Sequence, residues 1–360
     1  MAIEIADWND LDNVRNDLTG DYVLVNDLDS ETDGYAGIGD DFEPIADFDS
    51  KFNGNFDGQG YGISGLVIDE EPTSTEGVGL FAAVNGVTTI ENLTVGAEVT
   101  NTGDVNFALT GVLAGITRED VEIKNCVVSG SVDHMVSEPS EANNSFGGLI
   151  GQKGGLVDNC ESHVDVVALD AQQVGGLVGR NIDTVTESYA TGTVEGDGRV
   201  GGLVGDNQDI VTDSYATGSV EGNDEVGGLV GRNDDTVTES YATGSVEGDE
   251  EVGGLVGSEN DDDGSVTDSY WDTETSGQDT SDGGTGLTTS EMQGSEAETN
   301  MDGFDFVVVW NSVLESDDDT TADGYPILLA LDRENQLEAQ GIFQELQPPE
   351  PPENLTAELL

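Results

Sequence analysis

The chain has 360 residues, of which 76 are acidic and 9 basic, giving a formal charge of -67. That balance excludes the clustered Lys and Arg that track nucleic-acid phosphates. It also gives no basic patch for an anionic membrane, and no run reaches the about 18 apolar residues of a spanning helix.

Only 35% of the residues are apolar, a level that suits disorder when they are scattered; here they recur in register, which marks a folded chain. The carboxylates are spread over the whole length. They read as the solvent face of a salt-adapted protein, since counterions screen their repulsion to within about 3 Å at 1 M salt.

At the start, Met1-Ala2-Ile3-Glu4-Ile5-Ala6 has neither the basic region nor the apolar core of a secretion leader. Asp7 can cap a short helix whose Trp8, Leu11, Val14 and Leu18 share one face, suited to a lid over a core end. Tyr22-Val23-Leu24-Val25 then reads as the first strand, and Phe42, Ile45, Phe48, Phe52 and Phe56 as irregular turns whose rings plug that end. Residues 1–76 are taken as an N-terminal cap with the first irregular turns.

Residues 77–286 form the body. Val-Gly-Gly-Leu-Val-Gly begins at Val174, Val200, Val226 and Val252, in steps of 26 residues, and Ser-Tyr-Ala-Thr-Gly begins at Ser188, Ser214 and Ser240. Degenerate copies run back through Phe146, Gly111 and Val78. Each unit reads as short strands between Gly-rich turns, with Val185, Ser188, Ala190 and Val194 inward and no helical period. A leucine-rich repeat needs a return helix, and a propeller blade needs about 40 residues. The pattern therefore predicts an all-β, right-handed parallel β-helix with 26-residue turns of about three strands, stacked about 4.8 Å apart.

Stacking predicts columns. Cys126 and Cys160 fall on neighbouring turns in the column of Leu93, Ser188, Ser214, Ser240 and Ser269, compatible with a disulfide or with two small buried side chains. Tyr189, Tyr215, Tyr241 and Tyr270 form an outward ladder, either plain stacking or a platform for sugar rings. Gly175, Gly176 and Gly192 are read as bends with positive φ and points of close approach. Arg180, Asp206 and Arg232 alternate in one column, Arg199 sits beside Glu225, and Glu195, Glu221 and Glu247 stack without partners. Low salt should loosen such a stack first.

The body gives way after Trp271. Residues 287–346 are assigned to an irregular C-terminal cap, in which Phe304–Trp310 and Tyr325–Leu329 supply strands that finish the core and Asp332–Ala339 a short helix. Residues 347–360 are a Pro-rich tail or attachment segment.

No catalytic, cofactor or metal site emerges. With 76 acids, carboxylate pairs at glycosidase spacing select nothing. His134 and His163 lack companions at metal-ligand spacing and read as surface residues. Asp261-Asp262-Asp263 and Asp317-Asp318-Asp319 lack the calcium-loop pattern, so calcium stays an open alternative. Asn92, Asn143 and Asn354 head formal glycosylation sequons, with Asn143 the favoured site. The insertions Glu70–Glu76, Thr100–Phe107 and Met135–Asn144 break the period and are read as projecting loops, the place where a rigid scaffold carries recognition.

Through Val-Gly-Gly-Leu-Val-Gly, the lead-in Phe52-Asn53-Gly54-Asn55-Phe56-Asp57-Gly58 and the exit Ser269-Tyr270-Trp271-Asp272-Thr273, the chain resembles the GLUG-repeat proteins over roughly residues 7 to 330. The resemblance implies a β-helix of large archaeal and bacterial surface proteins, many adhesin-like, and no catalytic motif. Four functions are compatible with it. The first is a receptor- or glycan-binding tail fibre or spike on the virion of a haloarchaeal virus, which needs no leader; the second is a cell-surface adhesin of a halophilic archaeon. The third is a passive spacer carrying another module, and the fourth, a carbohydrate-active enzyme, is the least supported. Expected partners are a host glycan or S-layer protein, with other virion or envelope proteins held through the C-terminal tail, and neither nucleic acid nor membrane insertion.

Overall fold

A computed structural model describes residues 2–71, 77–103, 108–134, 144–260, 264–314 and 322–343. The chain is a parallel β-helix. A regular turn lays down five short strands rather than three: Gln173–Gly175, Val178–Asn181, Val185–Thr186, Tyr189–Ala190 and Val194–Gly196. Successive copies pair in parallel and build four walls. In the order of the turn these hold 7, 7, 10 and 12 strands, and the last two strands of each turn share the fourth wall. Val174, Val200, Val226 and Val252 are in register, as are Tyr189, Tyr215, Tyr241 and Tyr270.

Periodicity produces the core directly. Val185, Ser188, Ala190 and Val194 are all fully buried, with Leu177 and Val178 beside them. Each fully buried aliphatic side chain contributes about 1.5–3 kcal/mol relative to exposure. The serines form a ladder: each hydroxyl donates to the carbonyl two residues back and accepts the N–H of the preceding turn, as in Ser214 Oγ to Thr212 O (2.7 Å) and Ser188 N to Ser214 Oγ (3.2 Å). Cys126 and Cys160 occupy this ladder as free, buried thiols, directed at Lys124 O and Asp158 O, both at 3.4 Å. Burial pushes the Cys160 thiol well above its ordinary range, leaving it a small packing group.

The repeat glycines Gly175, Gly176 and Gly192 act by close approach and not by positive φ. A Cβ on Gly176 would meet Gly202 O at 2.2 Å, one on Gly175 would meet Val178 O at 2.1 Å, and one on Gly192 would meet Val164 O at 2.0 Å. The left-handed corner belongs to the residue before the ladder: Asn92, Asn125 and Asn159 in the early turns, then Glu187, Asp213, Glu239 and Asp268 at φ 43 to 48°. Asn tolerates that conformation better than Glu. Burial, and then neighbouring Asp158 and Asp213, also raise the Glu187 pKa; burial, and then Asp213, raise that of Glu239. A raised carboxyl keeps its proton in the folded state after the unfolded chain has lost it, so stability falls as pH rises through the window between the two pKa values. Glu187→Asn and Glu239→Asn should each stabilise by about 0.5–1 kcal/mol at neutral pH. They should also flatten the loss of stability between mildly acid and neutral pH, as measured by thermal melts across that range.

At the N-terminal end, the helix Trp8–Asp12 is capped by Asp7, which accepts from Asp10 N, and Trp8, Leu11 and Val14 are buried as the sequence suggests. Phe42, Ile45, Phe52 and Phe56 are buried with them. The first strand is Ile3–Ile5, earlier than expected, in parallel with Tyr22–Leu24.

The other end departs further from expectation. Trp271 follows Ala190, Ala216 and Ala242 in an inward column and plugs the core, its ring lying against Gly254. Asp272, fully buried, then accepts from Tyr325 Oη and Thr289 Oγ1, both at 2.6 Å. The following segment does not finish the core; it turns back as a strap along the outside of the fourth wall. It contains the helix Gly294–Asn300, an antiparallel pair Trp310–Val313 with Gly324–Leu328, and the helix Arg333–Ala339. Phe304–Val309 is a series of turns, not a strand.

Candidate functional site

The tyrosine ladder points away from the main core, as its neighbours require, but it is not a surface. Tyr189, Tyr215 and Tyr241 stack at 4.7 and 5.0 Å with planes within 4° of parallel, and all three are buried. The strap covers them with Met292, Met301, Phe304, Trp310 and Leu328. The hydroxyls are taken too: Tyr189 donates to Glu161 (2.8 Å), Tyr215 to Gln336 (3.1 Å), Tyr241 to Pro326 O (2.6 Å) and Tyr270 to Asp302 O (2.9 Å). No sugar ring can reach this ladder while the strap is seated.

What remains open is the same wall over the early turns, and there the three insertions converge. Glu70, Asn101 and His134 end strands in mutual register, and the chain resumes at Gly77, Leu109 and Ser145, again in register. The three insertions therefore leave the wall and rejoin it at one corner on three consecutive turns. Residues 72–76, 104–107 and 135–143 themselves lie outside the described residues, as do the Asn143 and Asn354 sequons, both Asp triplets and the 347–360 tail.

The stems are held by buried polar groups. His134 is only 4% exposed, so its assignment to the surface is corrected. Its Nδ1 lies 2.8 Å from Asn101 O, its ring stacks on Phe146 at 4.6 Å, and Nε2 is 3.7 Å from Asp170. Asn101 donates to Thr110 Oγ1 (3.0 Å) and accepts from Gly103 N (3.0 Å), while Asn144 accepts from Ala108 N (2.9 Å). Such side chains replace the ladder bonds that an insertion interrupts. His163 is half-buried rather than open, with Nδ1 2.8 Å from Thr191 Oγ1 and its ring edge-on to Tyr189.

Two clefts lie on this early part of the molecule. One, of about 290 Å³, sits mid-wall on the strands that lead to the corner and is lined by Leu66, Gly96 and Ala97 with Tyr35, Ser129 and Glu98. The other, of about 440 Å³, is acidic, lined by Asp12, Asp41, Glu43, Asp69 and Glu70. Its one cation, Arg15, is held by Asp12 (2.8 Å) and Pro44 O (2.7 Å), 4.9 Å from the Phe42 ring centre. A flat floor beside an aromatic wall and hydrogen-bonding rims suits a polyhydroxylated ligand. Asn92, in contrast, donates to Asp57 and accepts from Asn125, both at 3.1 Å, within a wall ladder.

In the regular turns the arginines are consumed structurally. Arg180 and Arg199 flank the fully buried Asp206 at 3.4 and 3.3 Å, Arg199 reaches Glu225 at 2.9 Å, and Arg232 reaches Glu225 at 3.6 Å and Asp234 at 2.9 Å. Burial still raises the Asp206 carboxyl, against the pull of Arg199 and Arg180. Glu195, Glu221 and Glu247 stack in register as predicted. Among the described residues, no group of three His, Cys, Asp or Glu side chains is arranged to hold a metal, and no helix is long and apolar enough to cross a membrane.

Comparison with known proteins agrees with this architecture. The GLUG motif matches three consecutive segments, 170–195, 196–221 and 222–247. Halomucin of Haloquadratum walsbyi is 34% identical over 153 residues, which is 41% of this chain and 2% of halomucin's own length. A solved Bacteroides ovatus protein described as a candidate immunoglobulin A1 protease superposes with a TM-score of 0.58 over 92% of this chain and 93% of that one, at 18% identity. That likeness concerns the fold alone.

Proposed function

We propose, for a chain that carries GLUG repeats wound into a parallel β-helix, a non-catalytic adhesive role at the cell surface of a salt-adapted organism. The observation that carries this reading is the convergence of three insertions at one corner, on stems fixed by buried hydrogen bonds. A rigid wall presenting adjacent loops is a recognition device. The consumed arginines and buried tyrosines leave the regular turns as scaffold. Halomucin similarity supports a cellular surface over the virion fibre that the sequence also allowed. The partner proposed is an envelope glycan or S-layer protein, engaged by the insertions and the cleft beside Tyr35.

Deleting Met135 through Asn143, stopping short of Asn144 because its side chain caps Ala108 N, should abolish binding of the purified chain to envelopes of its source cells. The melting temperature should change little. Undiminished binding by a folded deletion variant would remove the insertion from the recognition surface.

A further inference from the structure

Inside the second wall, Lys153, Asn181, Asn207 and Asn233 occupy one column in register, and all four are fully buried. The asparagines form a ladder, Asn181 Nδ2 donating to Asn207 Oδ1 at 2.7 Å and Asn207 Nδ2 to Asn233 Oδ1 at 2.8 Å. Lys153 stands at the head of it. Its Nζ is 2.9 Å from Asn181 Oδ1 and 2.6 Å from Thr184 O, and among the described residues no carboxylate lies within salt-bridge distance of it.

A buried primary amine and a buried carboxamide in hydrogen-bond contact are the two reactants of an amide transfer. We propose that Lys153 and Asn181 join in the folded protein through an isopeptide bond, a covalent staple between the last irregular turn and the first regular one. Burial brings the Lys153 pKa down to about 7, opposed by Asp183 and Asp209, so an uncharged nucleophile is accessible near neutrality. Nζ attacks Cγ of Asn181, and the carbonyl electron pair moves onto Oδ1, where the N–H of Asp183 already donates at 3.2 Å and can hold the oxyanion. Collapse breaks the Cγ–Nδ2 bond. The proton given up by Nζ passes to Nδ2, and ammonia leaves: amine plus carboxamide gives secondary amide plus ammonia, with no redox partner. Fixing both reactants in one column raises their effective molarity over that of free amine and amide.

The test is the intact mass of the full chain, folded in high salt, followed by peptide mapping after denaturation. The expected result is a mass one ammonia below that of the sequence and a branched peptide joining Lys153 to Asn181. Lys153→Arg should restore the full mass calculated for its own sequence. A full-mass chain with cleavable Lys153 overturns the proposal. So does ammonia loss that maps to a succinimide at Asn53-Gly54 or Asn85-Gly86 with Lys153 free.

Discussion

Trp310→Ala is expected to cost about 3–5 kcal/mol and to lift the strap from the tyrosine ladder. Trp310 is fully buried, stacks on Phe304 at 4.6 Å, lies 5.7 and 6.2 Å from the Tyr241 and Tyr215 rings, and donates to Asp213 at 3.3 Å. It joins the strap to two turns at once, so truncation removes apolar contact and also opens the cover over the phenol column. The β-helix core beneath has its own inward face and its own plug, Trp271. The loss should therefore appear as an early, partial unfolding step. Tyrosine exposure by near-ultraviolet spectroscopy should precede loss of the far-ultraviolet β signal, whereas wild type should lose both together. A single coincident transition in the variant would mean that the strap and the solenoid are one cooperative unit.

The second large effect is dilution of salt. Register places like charges on adjacent turns in Glu195, Glu221 and Glu247, and the corner column Glu187, Asp213, Glu239 and Asp268 adds another acidic row. Adjacent turns are about 4.8 Å apart, beyond the about 3 Å screening length of 1 M salt but well inside the about 10 Å of 0.1 M salt. In dilute water each such contact costs of order 1 kcal/mol before side chains splay apart, and the rows add up to several. Lowering salt from about 1 M to about 0.1 M should therefore lower the melting temperature steeply, with the regular turns exchanging amide hydrogens first. Glu221→Gln, which breaks its row in the middle, should reduce that dependence. Equal melting temperatures at the two salt levels would contradict an electrostatic origin.

Much of this fold was legible because a solenoid converts sequence period into spatial register. Val174, Tyr189, Arg180 and Glu195 needed only counting to be placed in columns, and Asp7 with Trp8, Leu11 and Val14 announced the cap helix by spacing. The Asn181, Asn207 and Asn233 ladder carries the same 26-residue signal, yet an amide side chain gives no apolar cue to an inward position, and only the stacked structure shows it buried. The strap was not legible. Alternation shows that Tyr215 points outward, but nothing local to it says that Gln336, 121 residues on, will bond its hydroxyl. His134 was misread for a related reason: beside an insertion the period stops, and only the folded stem shows the ring lying against Phe146. The insertions themselves were found as breaks in the period, whereas their convergence on one corner came from strand register.

A surface role stands or falls most directly on location. Immunogold labelling with antibody to this chain, on source cells grown and fixed in high salt, should place the label along the outer envelope. Label confined to the cytoplasm would contradict the adhesive account, and label on released particles instead of cells would move it to a virion.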